Sequence, residues 1–469
     1  MDKKRLFCVA VKETEQIINL NSELITNIKQ CNLREFMGHL KDASKIEWIN
    51  SASPKKISAS KEVFNFLDEW LKILANRLQN YDVEVLEAIT EILRFLRNCT
   101  SNLISQQYIL EETIILNTVD LLFSLIIELD VKNICLKVLL QFLTNLVSSN
   151  KQTTEKIFIL FYERVKKCLQ TNINTYESSA LIYYISLLQP INDIELIDTV
   201  LNLYYNNSEN EFLIFFLENS ISNDNFWNIY QDIKTENKIT ILEILKNMEF
   251  QKRSYCLPIN VQKIFIDEFL KIASTIFYIS EKEENKLKAY EVSLLLEILS
   301  SLSSNEDYLK KIQSNRNILI NAGVLLINIH KLGKENDNCF TPIQKLTEFG
   351  VNSGLNEHPA FGFKTDLVRL IGNLCWKNED MQNLARTAEL IPVILDCCNM
   401  DARNPFIVQW SILAVRNLCD NNEENQKIIA SLYQEGTVSS EVLNEMGLTL
   451  HSDGGSDLKI VPLESLKKS

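Results

Sequence analysis

The chain has 469 residues, 46% hydrophobic and 23% charged, with 11 glycines, 8 prolines and a formal charge of −13. That balance belongs to a soluble globular protein with a large core. The net negative charge opposes non-specific binding to nucleic acid or to an anionic bilayer, both of which need a cationic face, and neither GxGxxG nor a GxxxxGKS/T loop is present to cradle a nucleotide's phosphates.

Taken from the start, MDKKRLFCVAVKE carries only six apolar residues before Lys12 and Glu13, too few for a secretory signal. The 11 cysteines are scattered without framework spacing, which fits a reducing cytosol. Basic clusters are small: Lys3, Lys4 and Arg5, then Lys55 and Lys56, then Lys467 and Lys468, all read as solvated surface.

Helical periodicity begins at Val63, Phe66, Leu67, Trp70, Leu71 and Leu74, an i, i+3, i+4, i+7 stripe. A second stripe runs through Val85, Ile89, Ile92, Leu93 and Leu96. Comparable patterns follow at Ile114 to Leu129, Ile134 to Val147, Ile157 to Leu169 and Ser179 to Leu188, and continue toward residue 430. Between them Ser101-Asn102, Ser148 to Asn150, Thr171 to Thr175 and Asn206 to Asn210 read as loops, since Ser, Thr and Asn compete for backbone hydrogen bonds. Sustained period-2 alternation is missing from residues 60 to 430, so a sheet-based fold is not expected. The longest apolar stretch, Ile318 to Ile329, is interrupted by Asn321 and Asn328 and falls short of the ~20 residues a membrane span needs.

An internal repeat fixes the architecture. Ile371-Gly-Asn-Leu-Cys-Trp-Lys-Asn-Glu-Asp-Met-Gln aligns without gaps on Val415-Arg-Asn-Leu-Cys-Asp-Asn-Asn-Glu-Glu-Asn-Gln, 44 residues later. Identical are Asn373/Asn417, Leu374/Leu418, Cys375/Cys419, Asn378/Asn422, Glu379/Glu423 and Gln382/Gln426. Weaker echoes stand at Leu96-Arg-Asn, Phe142-Leu-Thr-Asn and Leu299 to Asp307, with Asn98 and Asn145 47 residues apart. A period of roughly 40 to 47 is that of HEAT and armadillo units. The expectation is an all-α armadillo/HEAT-like repeat solenoid (an α-α superhelix) presenting a concave binding surface.

Two stretches break the rhythm, the serine-rich Ser51 to Ser60 and the Gly350 to Phe363 segment with Gly350, Gly354, Pro359 and Gly362. Beyond residue 436 the period changes, and Leu448-Thr-Leu-His, Gly454-Gly455 and Leu458-Lys-Ile-Val read as a small β-hairpin. The expected divisions are residues 1–349 (N-terminal repeats), 350–435 (two C-terminal repeats) and 436–469 (tail).

Residues 362 to 469 resemble the ataxin-10 family, whose C-terminal domain carries the pattern seen here as Leu370-Ile-Gly-Asn-Leu-Cys-Trp-Lys-Asn. Leu390-Ile-Pro, Asp396-Cys-Cys-Asn-Met-Asp, Asn404-Pro-Phe, Trp410, Ala414-Val-Arg-Asn-Leu and Asn425-Gln426 follow in family order. One departure is Leu390, where family members commonly place Gly before Ile-Pro. The resemblance implies an armadillo-like cytoplasmic scaffold, with perinuclear, centrosomal or midbody placement, acting in neuronal survival, neurite outgrowth, signalling and cytokinesis through partner proteins. Catalysis is not among the implied roles.

No cofactor or metal is expected. The four histidines, His39, His330, His358 and His451, form no HExxH motif and no zinc-ligand spacing with Cys. Cys397-Cys398 reads as a pair of small core residues, and the acid clusters Glu281-Lys-Glu-Glu and Glu335-Asn-Asp as exposed loops. The candidates for partner binding are the repeat asparagines Asn98, Asn145, Asn373 and Asn417, each near the end of a unit's last helix. An amide both donates and accepts, which suits the backbone of an extended peptide; equally it suits a cap or a bridge to the next loop. Arg369, Trp376, Trp410 and Arg416 are the neighbouring anchors. Three readings stay open beside the scaffold: an armadillo-type transport or assembly factor holding a peptide in its groove, self-association through an uncapped solenoid end, and an enzyme whose pocket is built by residues of the N-terminal half.

Overall fold

The apolar stripe that begins at Val63 lies on helix α1 (Ile57–Leu78), with Phe64, Leu67, Leu71 and Leu74 buried and the half-buried Lys72 paired with the buried Asp68 at 2.8 Å. It opens the computed structural model, which describes residues 37, 57–78, 82–100, 103–111, 114–129, 134–147, 151–250, 257–258, 261–279, 283–335, 337–344, 358–432, 441–452 and 458–462. The basic clusters at 3–5, 55–56 and 467–468, His39, and the expected loops at 101–102 and 148–150 lie outside the described residues, as do residues 345–357. The chain groups into two units, Met1–Asp232 and Ile233–Ser469.

The first unit continues with α2 (Val83–Cys99), α3 (Leu103–Glu111), α4 (Ile115–Glu128), α5 (Ile134–Val147), α6 (Lys151–Gln170), α7 (Thr175–Leu188), α8 (Ile194–Asn206) and α9 (Glu211–Ile221). Helices α2, α5, α7 and α9 pack side by side in one layer, while α1, α4, α6 and α8 form a second. The starts are set by short polar side chains: Asp82, Asp193 and Asn210 each accept an N–H of the first turn, at 3.0, 3.2 and 3.2 Å, filling donors that a helix start leaves unpaired. The expected loops at 171–175 and 206–210 are the α6–α7 and α8–α9 connections. Helix α6 starts six residues before the apolar pattern at Ile157, since Thr153 and Thr154, only 1% exposed, fill the core face there. Helix α1 likewise reaches back to Ile57 into the serine-rich stretch that was expected to break the rhythm.

The second unit holds α10 (Thr235–Phe250), α11 (Val261–Ile272), α12 (Glu283–Leu302), α13 (Glu306–Gln313), α14 (Arg316–Glu335), α15 (Phe363–Leu374), α16 (Glu379–Thr387), α17 (Leu390–Asp396), α18 (Ile407–Cys419), α19 (Glu423–Ala430) and α20 (Glu441–Glu445). Here α10, α12, α15 and α18 make one layer and α11, α14 and α17 pack behind it. Each unit is thus a mostly helical, armadillo-like array of stacked helices, and the second also carries a two-stranded hairpin. Glu283 and Glu284, expected in a loop, occupy the first turn of α12, where the helix dipole favours acids. Helices on both sides of the 349/350 division, α12, α14 and α15, pack together within this unit.

The 44-residue repeat is also a repeat of backbone shape. Gly362 and Phe406 take φ of 72° and 62° at the starts of α15 and α18, and Lys377 and Asn421 take 48° and 53° after their ends. Asn378 and Asn422 cap α16 and α19, accepting the N–H of Met381 and Asn425 at 3.1 Å each. Gly372 sits where α15 meets α18: a Cβ there would lie 2.9 Å from the Cα and Cβ of Ala414. Leu390, fully buried, reaches toward Gly323 of α14, whose missing side chain leaves the space its methyls fill.

The expected hairpin is present. Strands β1 (Leu448–Ser452) and β2 (Leu458–Pro462) pair antiparallel with Leu450 opposite Ile460. Among the described residues no helix is long and apolar enough to cross a membrane.

Candidate protein-binding face

The repeat asparagines are the residues through which successive helices of the main layer are joined. In the second unit, Asn373 Nδ2 on α15 donates to Ser303 Oγ at 2.9 Å, Ser304 Oγ at 3.1 Å and the Ser300 carbonyl at 3.3 Å, all on or just past α12. Asn417 Nδ2 on α18 donates to the Gly372 carbonyl of α15 at 3.0 Å. Asn145 on α5 repeats this in the first unit, donating to the Arg97 carbonyl of α2 at 3.0 Å. Both acceptors are the residue just before the preceding asparagine, Asn98 or Asn373, so the bond recurs in register. The Asn98 side-chain oxygen accepts from Arg97 Nε at 3.2 Å and from its Nη2 at 3.0 Å.

A second set of amides locks the short helices in between. Gln382 on α16, 2% exposed, donates to the carbonyls of Cys375 at 3.2 Å, Asn417 at 2.8 Å and Asp420 at 3.1 Å. Gln106 on α3 does the same between α2 and α5, reaching the Thr100 carbonyl at 2.7 Å and that of Asn145 at 2.9 Å. Helix C-termini leave up to four carbonyls without intrahelical partners, and burying them unpaired costs about 1–3 kcal/mol each; these glutamines remove that cost. Gln106 and Asn219 were not singled out in the sequence. Asn219 of α9 donates to the Ser186 carbonyl of α7 at 3.0 Å, and its only sequence signal is an asparagine near the end of a buried helix.

Around this framework the structure brings Arg369 and Trp410 together. The guanidinium stands 4.8 Å from the centre of the indole, within the range of an attractive cation–π contact. Arg369 Nη2 donates to Ser304 Oγ at 3.1 Å, while its Nε is buried with no acceptor among the described residues. Both side chains are half-buried. Asp366, one turn before Arg369, accepts from Ser300 Oγ at 3.1 Å. Loss of water around it, reinforced by Glu297, pushes its carboxyl up to about 7, against a smaller opposing pull from Arg369. Trp376 lies apart, in the turn after α15, with the Lys377 ammonium 4.4 Å from its ring centre. Arg416 is exposed on α18. Asn98 and Asn145 belong to the other unit.

The remaining chemistry is mostly structural. Cys375 and Cys397 are buried and Cys398 half-buried; burial holds the Cys375 thiol far above its usual range and that of Cys397 at about 11. His330 lies between Lys364, whose Nζ donates to Nδ1 at 3.0 Å, and Asp396, 3.2 Å from Nε2. Burial first and Lys364 second lower its pKa.

Residues 363–461 match the family described as "Spinocerebellar ataxia type 10 protein domain". The chain is 29% identical over 351 residues to ataxin-10 of Xenopus tropicalis, covering 70% of each chain. It is 28% identical over 391 residues to ataxin-10 of Homo sapiens, covering 79% of this chain and 81% of that one. To an ataxin-10 homolog of Dictyostelium discoideum it is 39% identical over 105 residues, 22% of this chain and 17% of the other. Among solved structures it is similar to SYS-1, with a TM-score of 0.36 and 10% identity over 92% of this chain and 68% of that one.

Proposed function

Since the chain belongs to the ataxin-10 family, we propose that it is a non-catalytic cytoplasmic scaffold that binds other proteins through the α12–α15–α18 face of its second unit. Arg369 and Trp410 form the anchor, Arg416 on α18 and, set apart in the turn after α15, Trp376 add to the face, and Asn373 and Asn417 hold the helices that present it. The neuronal, signalling and cytokinetic roles implied by the family resemblance are proposed to run through partners bound there. The observation that carries the reading is the half-buried Arg369–Trp410 stack, since arginine and tryptophan are the residue types that most often dominate binding energy at protein interfaces. A peptide-groove reading in which Asn373 and Asn417 grip an extended backbone would need both amides released from their bonds to α12 and α15.

The test compares partners recovered by proximity labelling of the wild type with those of Arg369→Ala and Trp410→Ala, then measures purified partners directly. Loss of binding by tenfold or more, with helical content and melting temperature near wild type, supports the reading. An unchanged partner set with unchanged affinities in both variants overturns it.

A further inference from the structure

We propose that the cleft framed by the start of α11, the end of α13 and the start of α14 is a phosphate site that takes a phosphorylated serine or threonine of a protein partner. The cleft has a volume of about 640 Å³ and is lined by Lys263, Lys311 and Arg316 against a single carboxylate, Asp267. A chain with 61 acidic and 48 basic side chains has no general reason to gather three cations around one acid. None of the three has an ion-pair partner among the described residues.

Two further features point to an anion. Helix α14 is 20 residues long and opens on this cleft, presenting first-turn N–H groups and the positive end of its dipole. Asn315 Oδ1 takes the Asn317 N–H at 3.0 Å; the Arg316 N–H, at the first helical position, has no intrahelical acceptor. Gln262 lines the cleft, is only 2% exposed, and its Nε2 has no acceptor among the described residues. A buried amide without a partner costs about 1–3 kcal/mol, and a ligand oxygen would remove that cost. The last turn of α13 also faces the cleft with its negative end, and Lys311 sits there to offset it.

The lining selects among phosphates. A phosphate dianion offers three acceptor oxygens, enough for an arginine fork, an ammonium and an amide at once. Ile266 is the one apolar side chain in the lining and no aromatic is present, so a nucleotide base or an acyl chain has no surface to rest on. The phosphate is therefore carried on a peptide. Only that last step rests on the protein-binding reading above; the affinity for phosphate does not.

The experiment uses the full chain and fluorescence anisotropy with three probes: a degenerate peptide pool fixed at phosphoserine, the same pool unphosphorylated, and inorganic phosphate as competitor. Expected are at least tenfold tighter binding of the phosphorylated pool, displacement by inorganic phosphate, and a loss of about tenfold in Arg316→Gln and in Lys311→Gln, as for a charged hydrogen bond. Gln262→Leu should weaken binding while leaving the melting temperature equal or higher. Equal binding of the two pools, or full binding by Arg316→Gln and Lys311→Gln, overturns the proposal; so does inorganic phosphate binding without any peptide binding. If Arg316→Gln still captures the partners that Arg369→Ala and Trp410→Ala lose, the scaffold reading survives whatever happens here.

Discussion

Replacing Gln382 with Leu keeps the shape of a buried side chain but deletes a donor that serves the carbonyls of Cys375, Asn417 and Asp420. It also deletes the acceptor for Asn422 Nδ2 at 3.1 Å, which retains Asn383 Oδ1 at 3.0 Å. With each net hydrogen bond worth about 1 kcal/mol and buried carbonyls left unpaired, the loss should be about 2–4 kcal/mol. Gln426, the same residue in the next repeat, makes a single exposed bond to the Cys419 carbonyl at 2.8 Å, so Gln426→Leu should cost less than about 1 kcal/mol. Urea unfolding of the two variants reads the difference as a shift in midpoint at constant slope. Hydrogen exchange should localise the Gln382 effect to α15, α16 and α18. Equal losses in the two variants, or a harmless Gln382→Leu, would refute the view that these glutamines join the repeats.

Two further expectations follow from the same unit. Gly372→Ala forces a methyl to within 2.9 Å of the Ala414 Cα; the overpacking, about 1–3 kcal/mol, should outweigh the roughly 1 kcal/mol that Ala gains over Gly in a helix, and a higher melting temperature would contradict it. Asp366, pushed up from 3.8 to about 7, keeps its proton more firmly in the folded than in the unfolded chain. Its contribution to stability is therefore full below pH 4 and declines as pH rises toward 7, by at most about 1.4 kcal/mol per pH unit. Asp366→Asn should flatten that part of the stability–pH curve, and parallel curves for the two proteins would show the assignment to be wrong.

Period 3.6 apolar stripes and the 44-residue echo were legible because they arise from local requirements. A helix that buries one face must repeat its apolar residues with its own turn, and a repeat that stacks on a copy of itself must offer the same contacts again. The hairpin, too, announced itself through Leu448–His451, Gly454-Gly455 and Leu458–Val461. Identity at Asn373/Asn417 and Gln382/Gln426 marked the repeat, yet identity alone could not say whether the amides faced a partner or the neighbouring helix. That depends on which carbonyls the stacking brings within 3 Å, and Ser300 and Ser303 lie about 70 positions away from Asn373 in the chain.

The sequence by itself therefore determined the helical class, the repeat length and the terminal hairpin, all of which follow from interactions within a few residues or from a repeated unit. Only the tertiary structure decided that Arg369 stacks on Trp410, 41 positions later, that Gly323 makes room for Leu390, and that Gln262 meets Lys311 and Arg316 around one cleft. Each of these joins residues on different helices. Their encounter is set by how the helices pack, and packing distance is not written in the spacing of residues along a chain.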